Sequence, residues 1–236
     1  MQPAGSNVCK GKSKKARHLD LFTFRISLFV IRYTLFYTLP DHEAKMVSSA
    51  KTGSEFDEKL LELSAQIDAF ERYSHAHGLR VAEIADSIAV PLRLAPYDRS
   101  ILQQAALLHD IGEMVMNRDY ISASRPLTDA ERYDLHRHAV IGEQEITKRG
   151  LSKGVALLVR WHHEWWSGGG YPDALRGEDA PLTARILRVA DAYSSMTGDR
   201  PFRPAVTESQ ARQHLRELAG IEFDPSVVKA FLDLRN

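Results

Sequence analysis

The chain has 236 residues, of which 44% are hydrophobic and 26% charged, the mixture of an ordinary globular protein. Its single cysteine, Cys9, excludes an intramolecular disulfide and a thiolate metal cage, so any chemistry rests on the other polar side chains. Residues 1–45 carry eight basic and three acidic residues, which leaves residues 46–236 with a mild acidic excess. Nucleic-acid binders gain most of their affinity by neutralising phosphates, so we expect no DNA or RNA partner.

Residues 19–39 are the most apolar part of the basic leader that covers residues 1–45. Arg25 and Arg32 interrupt them, whereas a membrane-spanning helix needs about 20 predominantly apolar residues. Three interpretations stay open: a poorly structured or wrongly translated leader, a helix lying in the membrane interface, and a weak spanning helix. Met46 is an alternative translation start. We predict a cytoplasmic protein, with peripheral membrane association through residues 19–39 under the second interpretation.

From residue 54 onward, apolar residues recur at the three- and four-residue spacing that is typical of amphipathic helices. Thr128 and Glu131 form a capping-box pattern, which predicts a helix starting near Asp129. No segment alternates as a strand does, so we predict an all-α fold, a single helical-bundle domain of roughly seven to nine helices over residues 54–236. The predicted helices lie at about 60–70, 81–89, 101–116, from 129, 139–148, 155–163, 182–196, 208–218 and 225–234.

Several ionisable residues fall on helix faces that are expected to be buried, where an unpaired charge is costly. His109 and Asp110 lie in an Ala/Leu/Ile-rich helix, and Asp191 follows Leu187 by four positions. Each alone is explained as a core polar group with a hydrogen-bond partner. Together they lie on five predicted helices, and if these helices pack around one axis, five imidazoles and two carboxylates converge. Because the protonated imidazoles would repel one another, such a group needs a cation, and a pair of metal ions satisfies it. The set is His77, His109, Asp110, His138, His162, His163 and Asp191.

Two adjacent pairs, His109-Asp110 and His162-His163, fit a centre with two ions. Neighbouring helical positions point about 100° apart, so such a pair can straddle two ions about 3.5–4 Å apart, with the carboxylate bridging them. Nitrogen and oxygen ligands without thiolate suit iron, manganese, nickel or zinc. We therefore predict two divalent transition-metal ions, with iron or manganese ahead of nickel or zinc.

Six segments resemble one known family, among them HGLRVA, which begins at His77, and GIEFDPSVVKAF, residues 220–231. His109-Asp110 stands in ALLHDIG, residues 138–142 read HAVIG, and residues 162–172 read HHEWWSGGGYP. Residues 190–204 read ADAYSSMTGDRPFRP. In this order, over about residues 70–236, they resemble the HD-GYP subgroup of the HD-domain metal-dependent phosphohydrolases. A lone His-Asp pair is a weak signal, whereas the ordered set is specific.

The resemblance implies a helical bundle with a binuclear, sometimes trinuclear, metal centre that hydrolyses a cyclic dinucleotide, typically cyclic di-GMP, to linear pGpG or GMP. It implies attack on the phosphodiester by a metal-activated bridging hydroxide, with His109 and Asp110 in the catalytic role and all seven residues as metal ligands. Arg200 and Arg203 fall where the family contacts substrate phosphates. The loop at the substrate mouth comprises Gly169, Gly170, Tyr171 and Pro172.

Four positions depart from the family pattern. Glu113 replaces a lysine, Ser194 replaces an aspartate and Ser167 replaces an acid before the glycines. Tyr73 stands where the family has an extra carboxylate, so a third metal ion is not expected. These changes keep two alternatives open, an HD phosphohydrolase acting on another nucleotide or phosphoester and a non-catalytic nucleotide-responsive module. The oligomeric state also stays open.

Overall fold

The structure, a computed structural model, describes residues 46–199 and 204–234. The predictions for residues 1–45, Arg200 and Arg203 therefore lie outside the described residues. The backbone divides into two compact units, residues 1–58 and 59–236, and the packing described below is that of the second. Among the helices of the described ranges, none combines the length and the apolar character that crossing a membrane requires.

The described residues form ten α-helices, eight of which have nine residues or more. They contain no β-strand, only an isolated bridge between Ala219 and Phe223. The predicted all-α fold is confirmed. The helices are α1 Met46–Phe70, α2 His77–Ala89, α3 Pro96–Leu108, α4 Ile111–Met116, α5 Asp129–Leu135, α6 His138–Lys148, α7 Lys153–Trp161, α8 Leu182–Thr197, α9 Glu208–Glu217 and α10 Pro225–Asp233, with a 3-10 turn at Gly177–Asp179.

Helix α8 is central to the second unit, since it packs against α2, α3, α7, α9 and α10. Its inner face buries Ile186, Leu187 and Val189 completely. Helix α2 buries Val81 and Ile88 at helical spacing, as its sequence pattern predicts. Burial of each such side chain stabilises the fold by about 1.5–3 kcal/mol, which fixes the helices that carry His77 and Asp191.

Glycines let α4, α6 and α7 approach one another closely. A Cβ atom at Gly112 would lie 2.0 Å from the carbonyl oxygen of His138, and one at Gly142 would lie 2.7 Å from Val159 Cγ1. Only the absence of a side chain permits such backbone contact. The packing brings the start of α6, with His138, against the turn that carries Asp110.

The predicted continuous helix over residues 101–116 is wrong. Helix α3 ends at Leu108; His109 keeps helical backbone angles, and the chain leaves them at Asp110, which has φ −96° and ψ 14°. The helix predicted over residues 155–163 likewise ends at Trp161. The apolar periodicity runs through the first break, so it cannot reveal that break. The pairs His109-Asp110 and His162-His163 therefore follow helix ends rather than lying inside helices. The angle of about 100° between neighbouring helical positions, which the sequence predicted for them, does not apply.

Candidate metal centre

The seven predicted ligand residues lie in two groups, and within each group the ligand atoms are no more than 4.8 Å apart. Every member is buried except His163, which is half-buried. The packing of the helices thus brings together residues that are far apart in the sequence. The first group contains His77, His109 and Asp191, and the second contains Asp110, His138, His162 and His163.

The Asp110 carboxylate lies between the two groups. Its Oδ1 atom is 3.6 Å from His138 Nε2 and 3.5 Å from His162 Nε2, both in the second group. Its Oδ2 atom is 2.9 Å from His109 Nε2, in the first group. Each oxygen therefore faces a different set of imidazoles, the geometry that a carboxylate bridging two metal ions requires.

Three of the histidines are oriented in the same way. The Nδ1 atoms of His109, His138 and His162 lie 2.9, 2.7 and 2.7 Å from the carbonyl oxygens three residues earlier in the chain. A carbonyl can only accept, so Nδ1 carries a proton, and in the neutral ring Nε2 keeps its lone pair. The Nε2 atoms of these rings face the Asp110 carboxylate and are available to a metal ion.

His77 is held differently, by side chains of α8. Its Nδ1 atom lies 3.0 Å from Ser194 Oγ, and its Nε2 atom lies 3.5 Å from Asp191 Oδ1. The ring of Tyr73 stacks on it, with centroids 4.1 Å apart and planes 10° apart. Ser195 Oγ donates to Asp191 Oδ1 over 3.0 Å, which fixes that carboxylate. The serine at position 194 therefore still serves as the hydrogen-bond partner of His77.

Burial keeps the imidazoles of His138 and His163 neutral. It is the main cause that lowers the pKa of His138 to about 4, with the nearby His162 adding to the effect. Burial also lowers the pKa of His163 well below its usual range, and His162, His138 and the Arg188 guanidinium act in the same direction. Neutral imidazoles at pH 7 are the form in which histidine binds metal ions.

The two carboxylates of the centre are ionised. Burial acts to raise the pKa of Asp110 and Asp191, but the surrounding histidines outweigh it and hold both values well below the usual range. Burial acts to lower the pKa of His109, yet the two carboxylates outweigh it and raise that pKa well above its usual range. The two carboxylates thus favour a protonated, positively charged His109 ring in the metal-free protein, and a bound metal ion would supply that positive charge instead.

The donor set fits two divalent transition-metal ions. The Nε2 atom of His77 is buried and forms no hydrogen bond, and that of His109 is buried with the Asp110 carboxylate 2.9 Å away. Leaving a buried polar atom unsatisfied is costly, whereas coordination to a metal ion satisfies it. Two ionised carboxylates complete the ligand set, and imidazole with carboxylate suits iron, manganese, nickel or zinc.

The glycine-rich loop lies against the second group. A Cβ atom at Gly170 would lie 2.4 Å from the carbonyl oxygen of His163, so the loop backbone touches the chain beside that residue. The ring of Tyr171 packs on that of His163 with centroids 4.8 Å apart, and it also contacts the rings of His136 at 3.8 Å and His138 at 6.2 Å. Tyr171 therefore lies beside the second group, and Pro172 follows it in the loop.

Two supporting residues near the centre were missed in the sequence. Glu164 is buried, and its carboxylate accepts the backbone N–H groups of Asp173 at 2.7 Å and Leu175 at 2.9 Å. It stands in the segment HHEWW beside the histidines, which was a usable signal. Arg188 places Nη1 3.4 Å from Asp191 Oδ2, and its three-residue spacing from that residue was a second signal.

Comparison with known proteins identifies the family. The family described as HD domain matches residues 54–227, and the chain belongs to that family. A cyclic di-GMP phosphodiesterase from Vibrio cholerae is 32% identical over 191 residues, which cover 75% of this chain and 39% of the relative. The cyclic di-GMP phosphodiesterase response regulator RpfG from Xanthomonas campestris is 33% identical over 178 residues, covering 74% of this chain and 47% of the relative. The chain spans less than half of either relative.

The solved structure of a cyclic GMP-AMP specific phosphodiesterase from V. cholerae superposes with a TM-score of 0.60 at 20% identity, over 74% of this chain and 47% of that chain. At this identity the similarity concerns the fold. It confirms the HD-domain helical fold predicted from the sequence, and the family match confirms the recognition based on the ordered motifs.

Proposed function

We propose that this chain is a metal-dependent phosphodiesterase that hydrolyses a cyclic dinucleotide, cyclic di-GMP first among them, to linear pGpG or GMP. The observation that carries the proposal is the Asp110 carboxylate, whose two oxygens face two separate groups of histidines. The names of the relatives, which are cyclic di-GMP and cyclic GMP-AMP phosphodiesterases, support this class of substrate. Residues 54–236 would form the phosphohydrolase domain and residues 1–45 a leader, in a cytoplasmic protein.

In this proposal the seven histidine and aspartate residues hold two divalent ions, iron or manganese in preference to nickel or zinc. The ions supply Lewis acidity and lower the pKa of a bound water, which makes a nucleophile available near pH 7. Ser194 and the helix-end carbonyls keep the imidazole Nε2 atoms directed at the centre. The burial of Asp110 and His109 excludes bulk water, which strengthens their electrostatic effect on a developing charge.

The substrate contacts in this proposal come from the loop and from two arginines. The loop of Gly169, Gly170, Tyr171 and Pro172 would border the opening through which substrate reaches the metal centre, because the Tyr171 ring packs on His163. Arg200 and Arg203, which lie outside the described residues, would bind phosphate oxygens with the paired donors of a guanidinium.

A second candidate, an HD phosphohydrolase acting on another phosphoester, is favoured by Glu113. Its buried carboxyl lies within 4.8 Å of the Asp110 carboxylate, where the resembling family carries a lysine. A carboxyl group in place of an ammonium group removes a positive charge that would attract a substrate phosphate.

Product analysis tests the proposal. The full chain is purified without chelator, loaded with Mn²⁺ or anoxic Fe²⁺, and incubated with cyclic di-GMP and separately with cyclic GMP-AMP before chromatography. We expect linear dinucleotide or GMP, and a loss of at least about a hundredfold in Asp110→Asn, because loss of even an outer-shell partner costs a metal site up to that factor. Asp86→Asn is the matched control, since Asp86 pairs with Arg99 nine residues along α2 from His77.

Three outcomes would contradict the proposal. Metal-loaded protein that holds two ions but releases no product from either cyclic dinucleotide would favour the other phosphoester. Protein that binds no metal and yields no product would favour a nucleotide-responsive module without catalysis. Equal turnover by Asp110→Asn and the native chain would show that the activity does not arise from this centre.

A further inference from the structure

A chain of three aromatic rings in contact begins at the metal centre. The ring of Tyr171 lies on that of the predicted ligand His163, with centroids 4.8 Å apart. The ring of His136 stacks on Tyr171 in turn, with centroids 3.8 Å apart and planes 10° apart. His136 stands outside the motifs that mark the site, and neither group of candidate ligands contains it. Its position beside the centre therefore has no role assigned to it.

The packing of the core does not account for the His136 ring. His136 directly follows α5, a helix in which no residue is buried, and His136 itself is only half-buried. Polar contacts stabilise this part of the chain instead. Arg125 pairs with Glu131 at 2.6 and 2.8 Å, and the Tyr120 hydroxyl donates to Asp134 at 2.9 Å. The ring thus lies next to the metal centre while part of the residue faces solvent.

A second exposed ring lies three residues before His136. Tyr133 is 78% exposed, and its ring centroid is 6.5 Å from that of His136, with the two planes at 46°. Among the described residues, the Tyr133 ring contacts no aromatic ring other than His136. A single exposed aromatic residue is ordinary on a protein surface. Two neighbouring rings beside a phosphodiester site, however, form the kind of platform on which proteins stack nucleobases.

The position of these rings suits the shape of a nucleotide. A nucleotide carries its base one sugar away from its phosphate, so a phosphate at the metal centre leaves the base close to the surrounding residues. A single ring, that of Tyr171, separates His136 from the predicted ligand His163. Stacking requires no hydrogen bond to a particular base, because every base has a flat π-face. Guanine and adenine would therefore both be accepted.

We propose that His136 and Tyr133 form a base-stacking subsite for the nucleotide substrate, next to the metal centre and distinct from it. The inference deepens the proposed function and rests on it, because the proposed function makes the ligand a nucleotide. One base of the substrate stacks on the His136 ring while its phosphate binds at the centre. Tyr171 supports the His136 ring, and Tyr133 adds a second aromatic surface for the base.

Ligands with and without a base test the subsite without any measurement of turnover. The full chain is loaded with two equivalents of Mn²⁺, and mass spectrometry checks its metal content. Calorimetry then measures Kd for GMP, AMP and ribose 5-phosphate, all of which carry a phosphate, whereas only the first two carry a base. We expect both nucleotides to bind at least about fivefold tighter than ribose 5-phosphate, the smaller effect known for stacking of a base on an aromatic ring.

Substitutions at His136 separate stacking from the other roles of the side chain. His136→Leu removes the ring and keeps an apolar side chain, so both nucleotides should lose most of their advantage while ribose 5-phosphate binds as before. His136→Phe keeps a flat ring and should preserve the preference for nucleotides. Tyr133→Leu should reduce that preference. The matched control is His214→Leu, since His214 is an exposed histidine on α9, and it should bind all three ligands as the native chain does.

The outcomes distinguish this inference from the proposed function. Protein that hydrolyses cyclic di-GMP but binds GMP no tighter than ribose 5-phosphate overturns the subsite alone. A preference for nucleotides that survives in His136→Leu also overturns it. So does equal weakening of all three ligands in His136→Leu, because the ring then serves only to hold Tyr171 and its loop. A preference that disappears in His136→Leu and returns in His136→Phe supports the subsite, even in protein that releases no product from a cyclic dinucleotide and so contradicts the proposed function.

Discussion

Replacing Gly112 with alanine is expected to push α4 away from α6 and to weaken the metal centre. The added Cβ atom would lie 2.0 Å from the His138 carbonyl oxygen and 2.8 Å from Gly142 N, whereas real Cβ contacts stay above 3.0 Å. The two backbones must therefore separate by roughly 1 Å in a closely packed interior. His138 Nε2 lies only 3.6 Å from Asp110 Oδ1, and functional constellations tolerate displacements of about 0.5 Å.

The size of the effect follows from two opposing contributions. Overpacking of a well-packed interior costs about 3 kcal/mol at the upper end of its usual range, while alanine gains up to about 1 kcal/mol over glycine in a helix. The net loss of about 2 kcal/mol lowers Tm by about 4–8 °C for a domain of this size. Circular dichroism of the metal-free protein measures Tm, and mass spectrometry of the loaded protein measures metal content, which we expect to fall below two ions per chain.

Gly154→Ala is the matched control for this substitution. Gly154 is also a helical glycine, in α7, but its added Cβ would meet only a side chain, that of Ile101, at 2.9 Å from Cδ1 and 3.3 Å from Cγ2. We expect an unchanged or raised Tm and unchanged metal content, because the Ile101 side chain can rotate away. A Gly112→Ala protein with native Tm and two bound ions would refute the argument that close backbone approach positions His138.

Three further predictions concern the supports of the centre. Glu164→Gln should loosen the loop at Asp173, since an amide accepts backbone N–H groups less strongly than a carboxylate, and hydrogen exchange would rise there while the helices stay protected. Ser194→Ala removes the partner of His77 Nδ1 and should weaken metal binding about 10–100-fold by competitive chelator titration, with unchanged affinity contradicting the assigned role. Burial lowers the pKa of His138 in the metal-free protein from 6.5 to about 4, so between these two pH values the unfolded chain takes up a proton that the folded chain does not. The free energy of unfolding is therefore highest above pH 6.5 and falls as the pH drops toward 4, and urea unfolding should show about 2 kcal/mol less stability at pH 5 than at pH 7. This difference should shrink in His138→Gln.

The helical fold was predictable because each long helix has its own apolar face. Val81 and Ile88 recur at helical spacing, and both are fully buried. The capping box that begins at Thr128 also formed as its sequence predicts, because its contacts are local. The break at His109 was not predictable from periodicity, since Leu108 and Ile111 continue one buried face across it. Its cause is local hydrogen bonding of the histidine ring to a carbonyl, which periodicity does not record.

The types of residue at the centre were predictable, but their supports were not. Histidine and aspartate in the ordered motifs pointed to metal ions, because few other arrangements tolerate so many buried titratable groups. Glu71 and Glu113 belong to different parts of the sequence, and only packing of the end of α1 near α4 brings their carboxylates together. Glu164 beneath the loop is marked in the sequence only by its place beside the histidines, and its role depends on the backbone N–H groups that packing brings to it.

The hydrogen bonds that orient the ligand histidines explain why metal binding should be sensitive to substitution at position 194. Carbonyls in the last turn of a helix have no intrahelical partner, and the rings of His109, His138 and His162 bond to such carbonyls, which no substitution of a side chain can remove. His77 is the first residue of α2, where a helix has spare N–H groups rather than spare carbonyls, so its ring depends on the side chain of Ser194. An aspartate there would accept the Nδ1 proton more strongly than the serine hydroxyl does and make the imidazole a better electron donor. The serine therefore weakens the hold on one ligand and leaves the rest of the centre intact, so changes at position 194 should alter metal affinity in the group of His77 before they alter the fold.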